Sequence, residues 1–151
     1  MVSYNYEDIR GLLNIKEVEK RPPSVWKYFE LLPISKGFEA VSLGEGSTFL
    51  HRCTRLAEAL GVKRLYIKNE TTNPTGSFID RGTAVVVTRA KEAKIRSLSC
   101  APTGNLGASL AAYAANAGIR CSIFIGPDVE LGKLYQMIAY GAEVSLSIRL
   151  E

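Results

Sequence analysis

The sequence predicts an α/β fold of three layers, in which helices flank a largely parallel sheet. Short apolar runs typical of strands alternate with segments whose apolar residues have helical spacing. Alternation at such short intervals is typical of βαβ units with right-handed crossovers. With 151 residues and 46% hydrophobic content, the chain is long enough to form one globular domain with a core.

Composition argues against several classes of protein. The net charge of +4 is mild and its cationic residues are spread along the chain, which disfavours nucleic-acid and membrane roles. The N-terminal residues are polar and acidic and lack an apolar signal core, so we expect a cytoplasmic protein. The three cysteines, Cys53, Cys100 and Cys121, have no paired spacing. Two of them sit in apolar, strand-like runs and are expected to be small core residues, and we expect neither a disulfide framework nor a metal site.

The first 40 residues are predicted to form an N-terminal helical arm. Residues 4–20 carry apolar side chains between charges, which indicates a short amphipathic helix. Ser24 is predicted to cap a second helix, whose aromatic residues we interpret as core and whose end is set by Pro33.

Residues 41–82 are predicted to carry two polar loops between short elements. A strand end at Val41 leads into a Gly-x-Gly loop, and a helix over residues 55–60 is predicted to stop at Gly61. His51, the only histidine, has no acid or nucleophile nearby in sequence, so we interpret it as a surface or structural residue. Residues 65–68 read as a buried strand, residues 73–76 as a turn, and Asp80 as the cap of the next helix.

The remaining elements alternate regularly. Strands are predicted over residues 95–100, 121–125 and 143–148, and helices over residues 110–116 and 131–140. Gly118 and Gly141 are predicted to end these two helices.

The segment 65–82 resembles a signature of the threonine synthase branch of the fold-type II pyridoxal phosphate (PLP) enzymes, K-x-E-x-x-N-P-T-G-S-F-K-D-R-G. One position of the signature differs, because Ile79 stands where the family carries the lysine that forms the Schiff base. The resemblance implies that Ser77 and Phe78 bind the cofactor beside that position. It places Asn73 and Thr75 on the substrate side.

Three further segments resemble motifs of the same family. Residues 101–109 match its S-[ST]-G-N turn, which implies that Asn105, with Thr103 and Gly104, binds PLP; by residue type alone, Thr103 or Asn105 could equally be a helix cap. Residues 42–50 match S-L-G-E-G-x-T-P-L with Phe49 replacing the proline, and this implies that Gly46 and Thr48 lie on the substrate side. Residues 132–144 match K-x-x-Q-x-x-x-Y-G-A-x-V.

The resemblance covers about residues 20–148 and implies an N-terminal portion of the family fold. Residues 41–151 would form an incomplete domain of the tryptophan synthase beta type, because family members are longer. Their second half supplies the glycine-rich loop for the PLP phosphate and a hydroxyl facing the pyridine nitrogen. The apolar surface left without that half predicts a homo-oligomer.

The implied family reaction converts O-phospho-L-homoserine and water to L-threonine and phosphate, with PLP as electron sink. The substrate is therefore a small amino acid. Isoleucine can neither form an imine nor carry a proton, so we expect this chain to be inactive. Lys68, the nearest other amine, is expected to pair with Glu70. The alternatives are a catalytically silent remnant that acts as an interaction or binding module, and a relative of cysteate synthase or of the dehydratases.

Overall fold

The protein, seen here in a computed structural model, is described over residues 5–102 and 104–146. Three strands form a parallel sheet in the order β3-β4-β5, with Ser97 opposite Arg120 and Ser122 opposite Glu143. The strands and the helices between them are β3 (Ser97–Cys100), α5 (Gly104–Ala117), β4 (Arg120–Ile125), α6 (Leu131–Ala139) and β5 (Glu143–Leu146). The predicted α/β class, parallel sheet and flanking helices are confirmed.

Two shorter strands form a separate antiparallel pair. Leu50–Arg52 (β1) and Tyr66–Lys68 (β2) are joined through α3 (Thr54–Ala59), with Leu50 opposite Lys68. The prediction that β2 is buried was wrong, since its three residues are exposed and it pairs with only three others. The prediction of a strand end at Val41 was also wrong, because Val41 lies outside the strands of the structure. The Val41 amide donates to the Thr88 hydroxyl at 2.9 Å, so a helix side chain replaces a strand partner.

The N-terminal region forms three short helices instead of two. Residues Tyr6–Leu12 form α1 and Ile15–Lys20 form α2, because Asn14 interrupts the helix and caps α2 through the Lys16 amide. Ser24 caps the next helix as predicted, but Val25–Leu31 is a 3₁₀ helix. Its aromatic cluster is only partly core: Trp26 packs against the core, whereas Tyr28 is exposed.

The main core lies between α4 (Asp80–Glu92), α5 and the sheet. Alternation along β4 sends Cys121, Ile123 and Ile125 into the core and leaves Phe124 on the other face. Ala84, Val87 and Ala90 of α4 are buried in this core whereas Val86 is exposed, and Cys100 packs against the same core. Within the described residues, no helix is long and apolar enough to cross a membrane.

Candidate functional site

A buried carboxylate organises the turn between β2 and α4. The Thr75 amide and hydroxyl both donate to the Asp80 carboxylate at 2.7 Å, and the Ser109 hydroxyl donates to it at 2.6 Å. The prediction that Asp80 caps α4 was wrong, because Ile79 holds the cap position without a side-chain bond. Asp80 instead joins the turn to α5, and all three of these polar side chains are buried.

Position 79 opens onto an apolar cavity. Ile79 is half-buried at the start of α4, and its amide donates to the Ser77 hydroxyl at 3.3 Å. The cavity, of about 620 Å³, lies between α4, β3 and α5, and Phe78 and Leu106 line it together with Ile79. The isoleucine at this position has no amine.

Asn105 opens onto a second cavity, of about 430 Å³, at the end of β3 and β4. Gly104 and Asn105 line it from the first turn of α5, and Lys133 lines it from α6. Thr103, also predicted to bind the cofactor, lies outside the described residues. Asn105 and Leu106 are adjacent but line different cavities, so the first turn of α5 separates Asn105 from Ile79.

The side chains predicted for the substrate side are held by internal hydrogen bonds. Arg81 pairs with Glu70 through two nitrogens, each 2.8 Å from a carboxylate oxygen. The Thr48 hydroxyl donates to Glu70 at 2.6 Å, and the Asn73 amide donates to Glu70 and accepts from the Gly46 amide. Thr48 and Asn73, which make these contacts, are buried, as is Thr75, which bonds Asp80 instead.

The charge of Glu70 is stabilised by its neighbours. The Arg81 hydrogen bond, reinforced by the Thr48 hydroxyl, lowers the pKa of Glu70 to about 2. The predicted pair between Lys68 and Glu70 was wrong, because Arg81 occupies the carboxylate. The Lys68 amine instead donates to the Thr48 carbonyl at 2.6 Å.

Sequence reasoning missed several buried partners near these loops. Glu45 has no exposed surface and accepts hydrogen bonds from the Trp26 indole and the Tyr113 hydroxyl, which lie 19 and 68 residues away. Burial, followed by this bond to Glu45, raises the pKa of Tyr113. Lys133 could have been noticed from the sequence, because it is the lysine of the K-x-x-Q motif. Nothing in the sequence indicated that Ser109 would bond Asp80. Over residues 5–102 and 104–146, no three His, Cys, Asp or Glu side chains are grouped to hold a metal ion.

Comparison with known proteins identifies the class to which this arrangement belongs. The model of the pyridoxal-phosphate dependent enzyme family matches residues 41–149, and the chain belongs to that family. Its relatives include the threonine synthase of Methanocaldococcus jannaschii, 48% identical over 95% of this chain and 36% of that protein. The threonine synthase of Methanosarcina acetivorans is 46% identical over 98% of this chain and 36% of its own length. The chain thus spans about a third of the length of these curated relatives.

Solved structures agree on the fold. The chain is similar to O-ureido-L-serine synthase, with a TM-score of 0.64 and 28% identity over 73% of this chain and 35% of that one. A pyridoxal 5'-phosphate-dependent aspartate racemase matches with a TM-score of 0.62 and 28% identity, over 66% of this chain and 32% of its own. The fold is therefore that of the fold-type II PLP enzymes, of which this chain covers a part.

The residues present fit a ring oxygen of PLP but not its phosphate, because the carboxylates Asp128 and Glu130 line the same cavity as Asn105. The Asn105 amide is exposed at a cavity of about 430 Å³, where it can donate to a ring oxygen of a flat ligand. The lack of a side chain at Gly104 allows the Lys133 side chain to pack against α5, since a Cβ on Gly104 would lie 3.1 Å from Lys133 side-chain atoms. Ile79 does not fit the covalent anchor, because its side chain is a hydrocarbon.

Proposed function

We propose that the protein is a cytoplasmic, threonine synthase-type PLP protein. Its reaction class is the conversion of O-phospho-L-homoserine and water to L-threonine and phosphate. In this proposal the chain contributes the Asn105 side of the cofactor site, but it does not turn substrate over, since Ile79 replaces the reactive lysine. The observation that carries the proposal is Ile79 at the start of α4, within a turn whose Thr75–Asp80–Ser109 contacts are intact.

The chemistry assigned to position 79 requires a basic nitrogen. PLP, when bound, supplies an electron sink for charge developing at carbon. A lysine at this position would anchor the aldehyde and move protons, and an isoleucine side chain can do neither. Loss of one general acid–base role alone lowers a rate by roughly 10²–10⁴-fold.

The choice of reaction class is supported by the relatives and by the loop residues. The relatives named above are threonine synthases at 46–48% identity. Asn73, Asp80 and the Gly44-Glu45-Gly46 loop are the features that favour threonine synthase over the dehydratases. Each has a structural partner here: Asn73 with Glu70, Asp80 with Ser109, and Glu45 with Tyr113.

A chimera tests the proposal. This chain replaces the 144-residue region to which it aligns in the M. jannaschii threonine synthase, and phosphate release from O-phospho-L-homoserine is measured. We expect the Ile79 chimera to be inactive and its Ile79→Lys variant to release phosphate at least about 10²-fold faster. Ile79→Met is the matched control, because it supplies a long side chain without an amine and should remain inactive.

The second candidate is a silent binding module, and Ile79 itself favours it. An Ile79→Lys chimera that folds by circular dichroism and binds PLP, yet releases no phosphate, would reject the threonine synthase assignment and leave this candidate. Rapid phosphate release by the Ile79 chimera would reject the role given to position 79.

A further inference from the structure

Four cationic side chains line one cavity at the edge of the sheet where the parallel strands begin. This basic cavity, of about 700 Å³, lies between the ends of α4 and α5 and the starts of β3 and β4, and its cations are Lys91, Lys94, Arg96 and Arg120. All four are exposed, and no carboxylate of the described residues lines the cavity with them. Asn105 follows the opposite end of β3, so the basic cavity is separate from the site proposed for the cofactor.

The fold brings these cations together through two matching helix ends. The helix α4 leads into Lys94-Ile95-Arg96, and α5 leads into Gly118-Ile119-Arg120. At both ends the isoleucine amide donates to a helix carbonyl at 2.9 Å, and the Arg120 amide donates to the Arg96 carbonyl at 3.1 Å. The two arginines therefore lie side by side at the edge of the sheet.

Lys94 holds a backbone conformation that favours glycine. Its φ is +57°, close to the +69° of Gly118 at the matching position after α5. A left-handed dihedral angle crowds the Cβ of a residue with a side chain, which is why glycine is common where a helix ends in this way. Residues strained like this are concentrated at functional sites, so a lysine at this position points to a use for its charge.

The four cationic side chains have no partner inside the described part of the chain. No hydrogen bond or ion pair joins any of them to another described residue. The nearby Arg89, by contrast, is paired with Glu92. The helix ends do not need these side chains as caps, because backbone amides already bond the carbonyls of Ala90 and Ala114. The donors of the basic cavity are therefore available to a ligand.

We propose that the basic cavity binds an anion that carries a chain of phosphate groups. The guanidinium groups of Arg96 and Arg120 can each present a pair of N–H donors to phosphate oxygens, and the two lysines add positive charge. A single phosphate meets only part of this set, whereas adjacent phosphates can meet both arginines. Ile95 lines the same cavity and is 45% exposed, so it offers an apolar contact to a group attached to the chain. This site goes beyond the proposed function and does not depend on it.

Calorimetric titration of the intact chain tests the proposal, with tripolyphosphate as the probe. We expect saturable binding about tenfold tighter than that of orthophosphate, and weaker as salt is added, because exposed charges are screened. ATP is the second probe: affinity no higher than that of tripolyphosphate assigns the site to a free phosphate chain, and higher affinity assigns it to a nucleotide. No saturation by tripolyphosphate up to about 10 mM would overturn the proposal. Tighter binding of an oligoglutamate peptide would overturn it in favour of an acidic protein partner.

Paired variants locate the binding. Replacing both arginines, Arg96→Gln with Arg120→Gln, should weaken tripolyphosphate binding by about tenfold. The control Lys63→Gln removes an exposed lysine outside the cavity and should change the affinity by less than about twofold. Unchanged affinity in the double variant, or an equal loss in the control, would show general charge attraction and overturn the proposal.

A third variant separates the charge of Lys94 from its part in folding. Lys94→Gly removes the charge and relieves the backbone strain, so the melting temperature should stay the same or rise. We expect tripolyphosphate binding to weaken about two- to five-fold in this variant. An unchanged affinity would contradict the use proposed for this lysine.

Discussion

The backbone conformation at position 79 does not depend on the isoleucine side chain. The dihedral angles of Ile79 are helical (φ −58°, ψ −29°), and its side chain makes no capping bond to α4. The bonds that shape the turn belong to Thr75, Ser77 and Asp80. An Ile79→Lys substitution can therefore restore an amine while the turn keeps its hydrogen bonds, which makes the chimera a fair test.

Glu70 predicts a defined dependence of stability on pH. Its pKa is lowered from 4.5 to about 2 in the folded chain by Arg81, so the stabilisation it provides is present above pH 4.5 and is lost as pH falls toward 2. Glu70→Gln should lower the free energy of unfolding at pH 7 by about 1 kcal/mol, a low value because the pair is partly screened by solvent. The difference between the two proteins should shrink between pH 4.5 and pH 2, as measured by urea denaturation.

A control variant isolates this effect. Glu58 is exposed on α3, so Glu58→Gln should change the free energy of unfolding by less than about 0.5 kcal/mol. Glu30, whose pKa Arg21 also lowers to about 2, is present in all three proteins and cancels in the comparison. A stability difference between the unmodified protein and the Glu70→Gln variant that stays constant over this pH range would contradict the role given to Arg81.

At the scale of elements, the Gly-x-Gly loop is packed against the 3₁₀ helix at one glycine only. Gly44 and Gly46 have nearly the same dihedral angle, with φ +92° and +93°. A Cβ on Gly46 would lie 2.7 Å from the Val25 amide nitrogen, whereas a Cβ on Gly44 would meet no atom within 4 Å. The two positions thus share backbone strain and differ in steric contact.

Alanine at each glycine separates these two costs. Gly44→Ala should lower the free energy of unfolding by about 1–2 kcal/mol through strain alone. Gly46→Ala should cost about 1–3 kcal/mol more, because the Cβ displaces backbone atoms of the neighbouring helix. Thermal or urea unfolding measures both, and equal costs would show that the loop is not packed as described.

The elements that the sequence predicted well carry their own periodic signal. The strands β3–β5 and helices α4–α6 each have an apolar run or stripe that the local sequence displays. The β1–β2 pair was missed in part, because three-residue strands show no periodicity and their exposure depends on what lies beside them. The same limit applies to side-chain partners: Asp80 was read as a cap because Ser109 lies 29 residues away.

In the candidate site, too, the sequence predicted local motifs but not the contacts between distant residues. Asn105 and Ile79 were identified because motifs are local, and their spatial relation was not predictable because it depends on how α5 packs against α4. The K-x-x-Q motif includes Lys133, but its place beside Asn105, 28 residues away in sequence, depends on how α6 packs against α5. The ligand roles of all the predicted site residues stay predictions, as does the domain boundary at residue 40; these residues are Gly46, Thr48, Asn73, Thr75, Ser77, Phe78, Thr103, Gly104 and Asn105.

At the scale of the whole molecule, the Ile79 cavity predicts self-association. Phe78, just before α4, and Val86 in α4 line this cavity and are 64% and 56% exposed, so both present apolar surface to water. We expect sedimentation to show oligomers at tens of micromolar, the order of magnitude suited to weak contacts. Val86→Glu should shift the chain toward monomer. Leu60→Glu, equally exposed but outside the cavity, should not; a monomeric unmodified chain would contradict this prediction.

Phosphate release by the paired Ile79 and Ile79→Lys chimeras is the most direct test of the central claim, that Ile79 deprives a threonine synthase-type site of its reactive amine. We expect an inactive Ile79 chimera, an inactive Ile79→Met control, and at least about 10²-fold faster release with lysine. Equal rates in the isoleucine and lysine chimeras, with both folded, would contradict the claim.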